Sequence, residues 1–388
     1  MLKFNFISAI LAGCFCLFLG KTVSAQEYIY DSLAIDGLNR TYRLYIPASY
    51  DGSESVPLLF NLHGYGSNSL EQLFYGDFRS IADTANFIIA CPDGTPDLVG
   101  TLSWNNFGIG TTDDISFFDQ FITFLSSQYN IDADRIYSTG MSNGGFMSYD
   151  LACLLSSKIT AVASVTGSMN VFRINDCSPP RPVPVMHIHG TADGTVPYNG
   201  NVVFAPVDSV IVHWYTHNLC FPLPDIDEVP DVNISDNCTA THFVWQALGT
   251  PATVEFYKID GGDHSWPGAI VNLNTTNMDF SASAEIWRFF SQYRLSDLQQ
   301  QVSIEQTELP QISVYPNPAS SYLNIQVSEI PKHALNVILY DLSGRIILNE
   351  IQKENTKSYS INNLAEGIYI YSINAGNKTL KRGKLIIK

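Results

Sequence analysis

Ser142 stands in the run "STGMSNGG" (138–145), fenced by Gly140 and Gly144. A serine hydroxyl is a weak nucleophile at neutral pH; it becomes a strong one when a base takes its proton and a carboxylate orients the base. Small neighbours are what a sharp strand-to-helix turn demands, because lifting Oγ into the open brings adjoining backbones too close for larger side chains. On such a turn the partners follow in chain order, acid and then histidine, on loops after later strands. Asp193 follows the apolar run in "VPVMHIHGTAD", and His264 lies in "KIDGGDHSWPG" after "TVEFYKI". Ser142, Asp193 and His264 are therefore the expected nucleophile, orienting acid and base of an acyl transfer. An ordinary Gly-rich turn is the bland alternative for 138–145, and the strand-to-helix setting argues against it.

A tetrahedral intermediate also needs N–H donors for its oxyanion, one after the nucleophile and one from a loop after an early strand. Asn143 supplies the first, and "LHGYGSN" (62–68) the second through Tyr65, with Gly64 and Gly66 permitting a tight loop. The remaining histidines fit the role of base less well. His63 opens the loop after a strand, His187 and His189 lie within or at the end of another, His242 falls in a strand and His333 near the C-terminus. His213 and His217 are four apart in "HWYTH" and could suggest a metal, but a zinc-protease helix needs Glu after its first His, and Trp214 stands there. No metal and no cofactor is expected.

These residues require a scaffold, and the pattern from Arg40 onward provides one. The runs "VPLLFNL", "FIIAC", "AVASV" and "VPVMHI" are nearly continuous in apolar residues, which suits strands covered on both faces. Between them "DDISFFDQFITFLSSQY" (113–129) spaces Ile115, Phe118, Ile122 and Leu125 as a helix does, with Asp114 as expected N-cap. "GGFMSYDLACLL" and "FSASAEIWRFFSQY" (280–293) read as further helices. The alternation predicts a mainly parallel sheet flanked by helices. Past Leu295 the polar, Gln-rich "SDLQQQVSIEQTELPQ" reads as a linker, and the short alternating strands after it as a small all-β sandwich.

The first 25 residues carry Lys3, an apolar run from Phe4 to Gly20 and "KTVSA" before Gln26, the layout of a cleavable secretory signal. No later run is long and apolar enough to span a bilayer. Export puts the five following cysteines where disulfides persist. The local pairs Cys153 with Cys177 and Cys220 with Cys238 are expected among the three pairings that four cysteines permit, with Cys91 a buried free thiol. Residues 26–310 hold 32 acidic and 10 basic side chains, net −22, against 5 and 9 in 311–388, net +4. So acidic a body disfavours nucleic acid and anionic lipid as partners; a neutral substrate, or one carried on a neutral polymer, fits it.

"RIYSTGMSNGGFMSYDLAC", "HIHGTADGTVPYNG", "GGDHSWPG" and "SWNN" with "DDISFFDQFI" resemble the esterase family of extracellular polyhydroxybutyrate depolymerases and feruloyl or acetyl xylan esterases, which are α/β hydrolases. The resemblance covers about residues 36–293. It implies the triad above, an oxyanion loop at "HGYG" and a Cys153–Cys177 disulfide. Trp104 and Trp266 flank the site in the resembling motifs and are expected as walls for an acyl or aryl group, with simple core packing as the alternative. Tyr65 departs from the smaller residue often found in that loop. "VYPNPASSYLNI", "YDLSGRII", "LAEGIYIYSI" and "KLIIK" resemble the type A C-terminal sorting domain of the Bacteroidetes type IX secretion system, an immunoglobulin-like sandwich.

The expected organisation is a signal (1–25), an α/β-hydrolase catalytic domain (26–298), a linker (299–310) and a sorting domain (311–388). The expected protein is a serine carboxylic-ester hydrolase, extracellular or at the cell surface, that meets the type IX machinery through its C-terminal domain. Its expected substrates are feruloyl or acetyl esters of plant polysaccharide, or polyhydroxyalkanoate. A serine peptidase of the same fold, and a non-catalytic surface-binding protein with a sorting tail, are the competing readings.

Overall fold

The computed structural model describes residues 26–299 and 311–388, apart from 109, 111, 248, 272–274, 330–333, 342–344 and 376–377. The expected signal, all but the first residue of the expected linker, and His333 lie outside the described residues. The chain divides into two compact units, one running to Cys220 and resuming over Pro224–Leu295, the other comprising Phe221–Leu223 and Ser296–Lys388.

The first unit opens with β1 (Glu27–Ile35), β2 (Leu38–Ile46), β3 (Val56–Leu62) and β4 (Ile88–Pro92), followed by a short ribbon of β5 (Thr95–Pro96) and β6 (Leu102–Ser103). It continues with β7 (Ile131–Met141), β8 (Ala161–Val165), β9 (Val185–Gly190), β10 (Asp225–Glu228), β11 (Thr239–Trp245) and β12 (Val254–Asp260). Apart from the ribbon, these strands form one sheet in the order β1-β2-β4-β3-β7-β8-β9-β12-β11-β10. The middle of it, β4-β3-β7-β8-β9-β12, is parallel. Antiparallel pairs finish both edges.

Every residue of β3, β4, β8 and β9 is buried, as strands covered on both faces must be. Alternation along β3 sends Leu58, Phe60 and Leu62 to one core and Leu59 to the other. The helices are α1 (Ser69–Tyr75), α2 (Arg79–Ala85), α3 (Asp114–Gln128), α4 (Asn143–Leu154), α5 (Arg173–Asp176), α6 (Val207–His217), α7 (Ala282–Phe290) and α8 (Leu295–Gln299). From α3, α4 and α6, Phe118, Met147 and Trp214 enter the first core; Ala82 of α2 and Phe289 of α7 enter the second.

Two local expectations are corrected. The N-cap of α3 is Asp113, whose Oδ1 accepts from the Ser116 N–H at 2.9 Å. Asp114 instead turns inward to meet Arg40 at 2.9 Å and to accept from the Asn105 N–H at 2.8 Å. A buried carboxylate needs such partners, and Arg40 also donates to the Asp93 carbonyl. The second correction concerns the cysteines. Cys153 and Cys177 are bonded, with Cα atoms 5.1 Å apart, but Cys220 and Cys238 are free thiols, as Cys91 is. Cys220 bridges to Ala247 beyond one end of β11, whereas Cys238 precedes the other end. At a strand rise of about 3.3 Å per residue, that leaves them on the order of 25 Å apart, far beyond the reach of a disulfide.

The second unit holds β13 (Ile312–Tyr315), β14 (Tyr322–Val327), β15 (Leu335–Tyr340), β16 (Ile346–Gln352), β17 (Thr356–Ser360), β18 (Gly367–Ala375) and β19 (Lys378–Ile387). They form two sheets, β13-β14-β17 and β16-β15-β18-β19, with Ile325, Val337, Ile373 and Leu385 in the core they share. Strict alternation of burial along β15 is the signature of a strand with one face inward.

Candidate active site

Ser142 lies between the C-terminal end of β7 and the first residue of α4, with φ 53° and ψ −120°. A left-handed φ at a non-glycine residue costs about 1–3 kcal/mol and persists only where the surroundings enforce it. Here the Ser142 N–H donates to the Val165 carbonyl at 2.8 Å, and the Ser142 carbonyl accepts the first bond of α4 from the Phe146 N–H at 3.0 Å. The flanking glycines have a steric cause. A Cβ on Gly140 would lie 2.6 Å from the Gly144 carbonyl carbon, and one on Gly144 would lie 2.2 Å from the Leu62 oxygen. Only glycine lets the turn, the end of β3 and the start of α4 meet this closely.

The loop that leaves β3 passes directly over this turn. A Cβ on Gly64 would lie 3.5 Å from Cβ of Ser142. The buried His63 ring fixes the loop from beneath: its Nε2 accepts from the Gly94 N–H at 2.9 Å, so its Nδ1–H donates to the Gly64 carbonyl at 2.7 Å. Burial pushes the His63 pKa down, in keeping with a neutral ring. The Gly66 and Ser67 amides are taken by the Leu102 and Gly64 carbonyls. Asn143 opens α4, so its N–H precedes the first intrahelical bond. Its side chain is clamped to Trp104, accepting from the Trp104 N–H at 2.7 Å.

Asp193 and His264 come from the loops after β9 and β12. Asp193 Oδ1 accepts from the Thr195 and Val196 N–H groups at 2.9 and 2.8 Å, which turns Oδ2 toward His264. The His264 Nδ1–H donates to that Oδ2 at 2.8 Å. An imidazole held this way has Nε2 as its free basic nitrogen.

Ser142, His264, Met141, Gly64 and Tyr65 line one cavity of about 640 Å³. Its apolar walls are Leu70, Phe74 and Tyr75 of α1 together with Val271, and Glu71 and Ser67 supply polar groups. The Tyr65 phenol donates to Asp97 at 2.7 Å and holds that carboxyl below its usual range.

Trp104 and Trp266 are not the expected walls but the core packing that was the alternative. Each is 1% exposed and neither lines the cavity. The Trp104 indole N–H donates to the His63 carbonyl at 3.0 Å, so this ring braces the loop from the core side. Trp266 is packed edge-on to Phe78 and donates to Ser283 at 3.2 Å. The wall it was expected to form belongs to α1, a helix sequence reasoning passed over. Asn68 followed three residues later by Glu71 was the available signal, and Asn68 does cap α1.

Among the described residues no group of three His, Cys, Asp or Glu side chains could hold a metal, and no helix is long and apolar enough to cross a membrane. His217 contacts the Arg181 carbonyl at 3.1 Å, and His242 the Glu255 carboxylate at 2.8 Å.

Known proteins resemble both parts of the chain. Residues 114–231 match the BAAT / Acyl-CoA thioester hydrolase C-terminal family, and residues 313–388 the Secretion system C-terminal sorting domain. A probable feruloyl esterase C of Aspergillus terreus is 33% identical over 261 residues, 65% of this chain and 84% of the relative. A bifunctional acetylxylan esterase/xylanase of Neocallimastix patriciarum is 27% identical over 257 residues, 66% of this chain, which spans 34% of that longer relative. The solved acetyl xylan esterase from Aspergillus awamori superposes with a TM-score of 0.48 at 13% identity, covering 68% of this chain and 99% of its own.

Proposed function

The chain belongs to the feruloyl esterase family and ends in a secretion sorting domain, and from that premise we propose that it is a serine carboxylic-ester hydrolase acting on feruloyl or acetyl esters of plant polysaccharide. The sorting domain indicates an extracellular or cell-surface protein, and its motifs support the type IX secretion machinery as the carrier in this reading. The observation that carries the reading is the convergence, on one cavity, of a strained serine and a histidine whose Nδ1 is held by a buried carboxylate.

In this mechanism Ser142 Oγ attacks the ester carbonyl while His264 Nε2 takes the hydroxyl proton. Asp193 keeps the proton on Nδ1 and stabilises the imidazolium that forms. The N–H groups of Tyr65 and Asn143 receive the oxyanion, an interaction strongest when the charge has developed. Collapse of the intermediate breaks the C–O bond, and His264 returns its proton to the departing sugar hydroxyl. Water, deprotonated by the same Nε2, then attacks the acyl-enzyme and releases the acid and Ser142. The cavity walls of Leu70, Phe74 and Val271 offer an aromatic acyl group an apolar bed, and an acetyl group enters without filling it.

Ser142→Ala should lower turnover of methyl ferulate by on the order of 10⁴-fold, and retained turnover removes Ser142 from this role. Parallel hydrolysis of methyl ferulate, acetylated xylan and polyhydroxybutyrate film assigns the ester: preference for the film would overturn the polysaccharide reading.

A further inference from the structure

Beneath the Asp193 loop lies a chain of buried polar groups that the mechanism above does not use. His187 and His189 are two apart on β9 and so share a face, and both are fully buried. The Tyr149 hydroxyl, on α4, is 2.6 Å from His187 Nδ1. His187 Nε2 is 3.2 Å from His189 Nδ1, and His189 Nε2 is 2.8 Å from the Val196 carbonyl. The same Nε2 lies 3.4 Å from Oδ2 of Asp193, the oxygen that also receives His264.

The carbonyl at one end fixes the polarity of the whole chain. A carbonyl only accepts, so His189 carries its proton on Nε2 and must accept at Nδ1. His187 therefore donates from Nε2 and accepts at Nδ1, and the Tyr149 hydroxyl is the donor that remains. In this pattern both rings are neutral; burial, the largest influence on each, pushes both pKa values down.

Resting on the reading of Asp193 and His264 as orienting acid and base, we infer that Tyr149, His187 and His189 are positioning residues that hold the Asp193 carboxylate and moderate the basicity of His264. His189 acts at two points. Its Nε2–H ties down the Val196 carbonyl, whose own N–H grips Asp193 Oδ1, and the same Nε2 lies 3.4 Å from Oδ2. The partial positive charge of that N–H lies beside the oxygen that stabilises protonated His264 and competes with the ring for its charge. Because Tyr149 belongs to the helix that starts at Ser142, the chain also links the nucleophile's helix to the acid's loop through the core. The other ionisable groups facing this assembly are Asp263, whose Oδ1 accepts from the His264 N–H, Asp260, Tyr198, Lys258, and Glu71 and Tyr75 across the cavity. All of them are retained in the variants below.

The test is the titration of His264 by NMR, which needs no turnover and so separates failure of this inference from failure of the esterase reading. His189→Leu should move the His264 titration to higher pH, and the acid limb of kcat/KM for methyl ferulate should move with it. His189→Gln keeps an N–H where Nε2 stood and should restore both toward the parent values. Tyr149→Phe, which removes one hydroxyl and keeps the ring, should shift His264 in the same direction by less, and it stands in if His189→Leu does not fold. An unchanged His264 titration in a folded His189→Leu or Tyr149→Phe protein overturns the inference. So does a His189→Gln variant that behaves like His189→Leu.

Discussion

Gly144→Ala probes the joint between Ser142, the proposed nucleophile, and the loop that carries Gly64 and Tyr65, the proposed oxyanion loop. The added methyl would sit 2.2 Å from the Leu62 oxygen, 2.6 Å from the Leu62 carbonyl carbon and 2.7 Å from the His63 oxygen. Non-bonded carbon contacts rest near 3.5 Å, so α4 and the end of β3 must part by roughly 1 Å. All three obstructing atoms are backbone, and none can rotate away. The segment pushed aside continues into Gly64 and Tyr65, so the Tyr65 N–H leaves its place relative to Ser142. Loss of one oxyanion donor costs about 10²–10³ in kcat, and a 1 Å misplacement costs about 10². We therefore expect kcat to fall by about 10²-fold, equivalent to ~2.7 kcal/mol of transition-state stabilisation, with KM nearly unchanged. Stability should fall less. Overpacking costs about 1–3 kcal/mol, while alanine in a helix recovers up to ~1 kcal/mol over glycine. The assay is steady-state hydrolysis of methyl ferulate beside urea denaturation of the same preparation. A kcat within about threefold of the parent would refute the argument that this contact sets the geometry.

Two further outcomes follow from the cavity wall and from the buried imidazoles. Phe74→Ala should raise KM for methyl ferulate by about 3–10-fold, the worth of one aromatic contact, and leave release of acetate from acetylated xylan nearly unchanged; equal effects on both esters would mean that α1 does not carry the acyl preference. His63, His187 and His189 all have native pKa values pushed below the ordinary histidine value by burial, so the unfolded chain binds protons that the native protein refuses. Stability should be level above about pH 6.5 and fall as pH drops below it, each ring contributing up to ~1.4 kcal/mol per pH unit. Urea midpoints that stay flat from pH 7.5 to 5 would contradict this.

That Ser142 and His264 line one cavity and that His264 meets Asp193 was legible because each sits in a short motif whose local geometry is set by neighbours in sequence: Gly140 and Gly144 around Ser142, and the turns that follow two apolar runs for Asp193 and His264. The misreadings share a cause, which is that nearness along the chain was taken for nearness in space. Trp266 is two residues from His264, yet its ring leaves the cavity and packs beside Phe78. Cys220 and Cys238 looked like a local pair until β11 ran its length between them. Conversely, Leu70 and Phe74 reach the site from a helix between β3 and β4 that no apolar run announces. The spacing of His187 and His189 put them on one face, but nothing in the sequence named Tyr149 or the Val196 carbonyl as the ends of their chain.

Among the described residues three thiols are unpaired, and they set a term on when the Cys153–Cys177 bond can be rearranged. Exchange requires a thiolate, and in the folded protein burial pushes Cys220 and Cys238 up to about 12 and Cys91 higher still. At neutral pH only on the order of one thiol in 10⁵ is then ionised. Scrambling by these three is accordingly a hazard of the nascent chain: once the sheet has closed, an oxidising exterior finds none of them ready to react, and they can be carried into the open without cross-linking to neighbouring molecules.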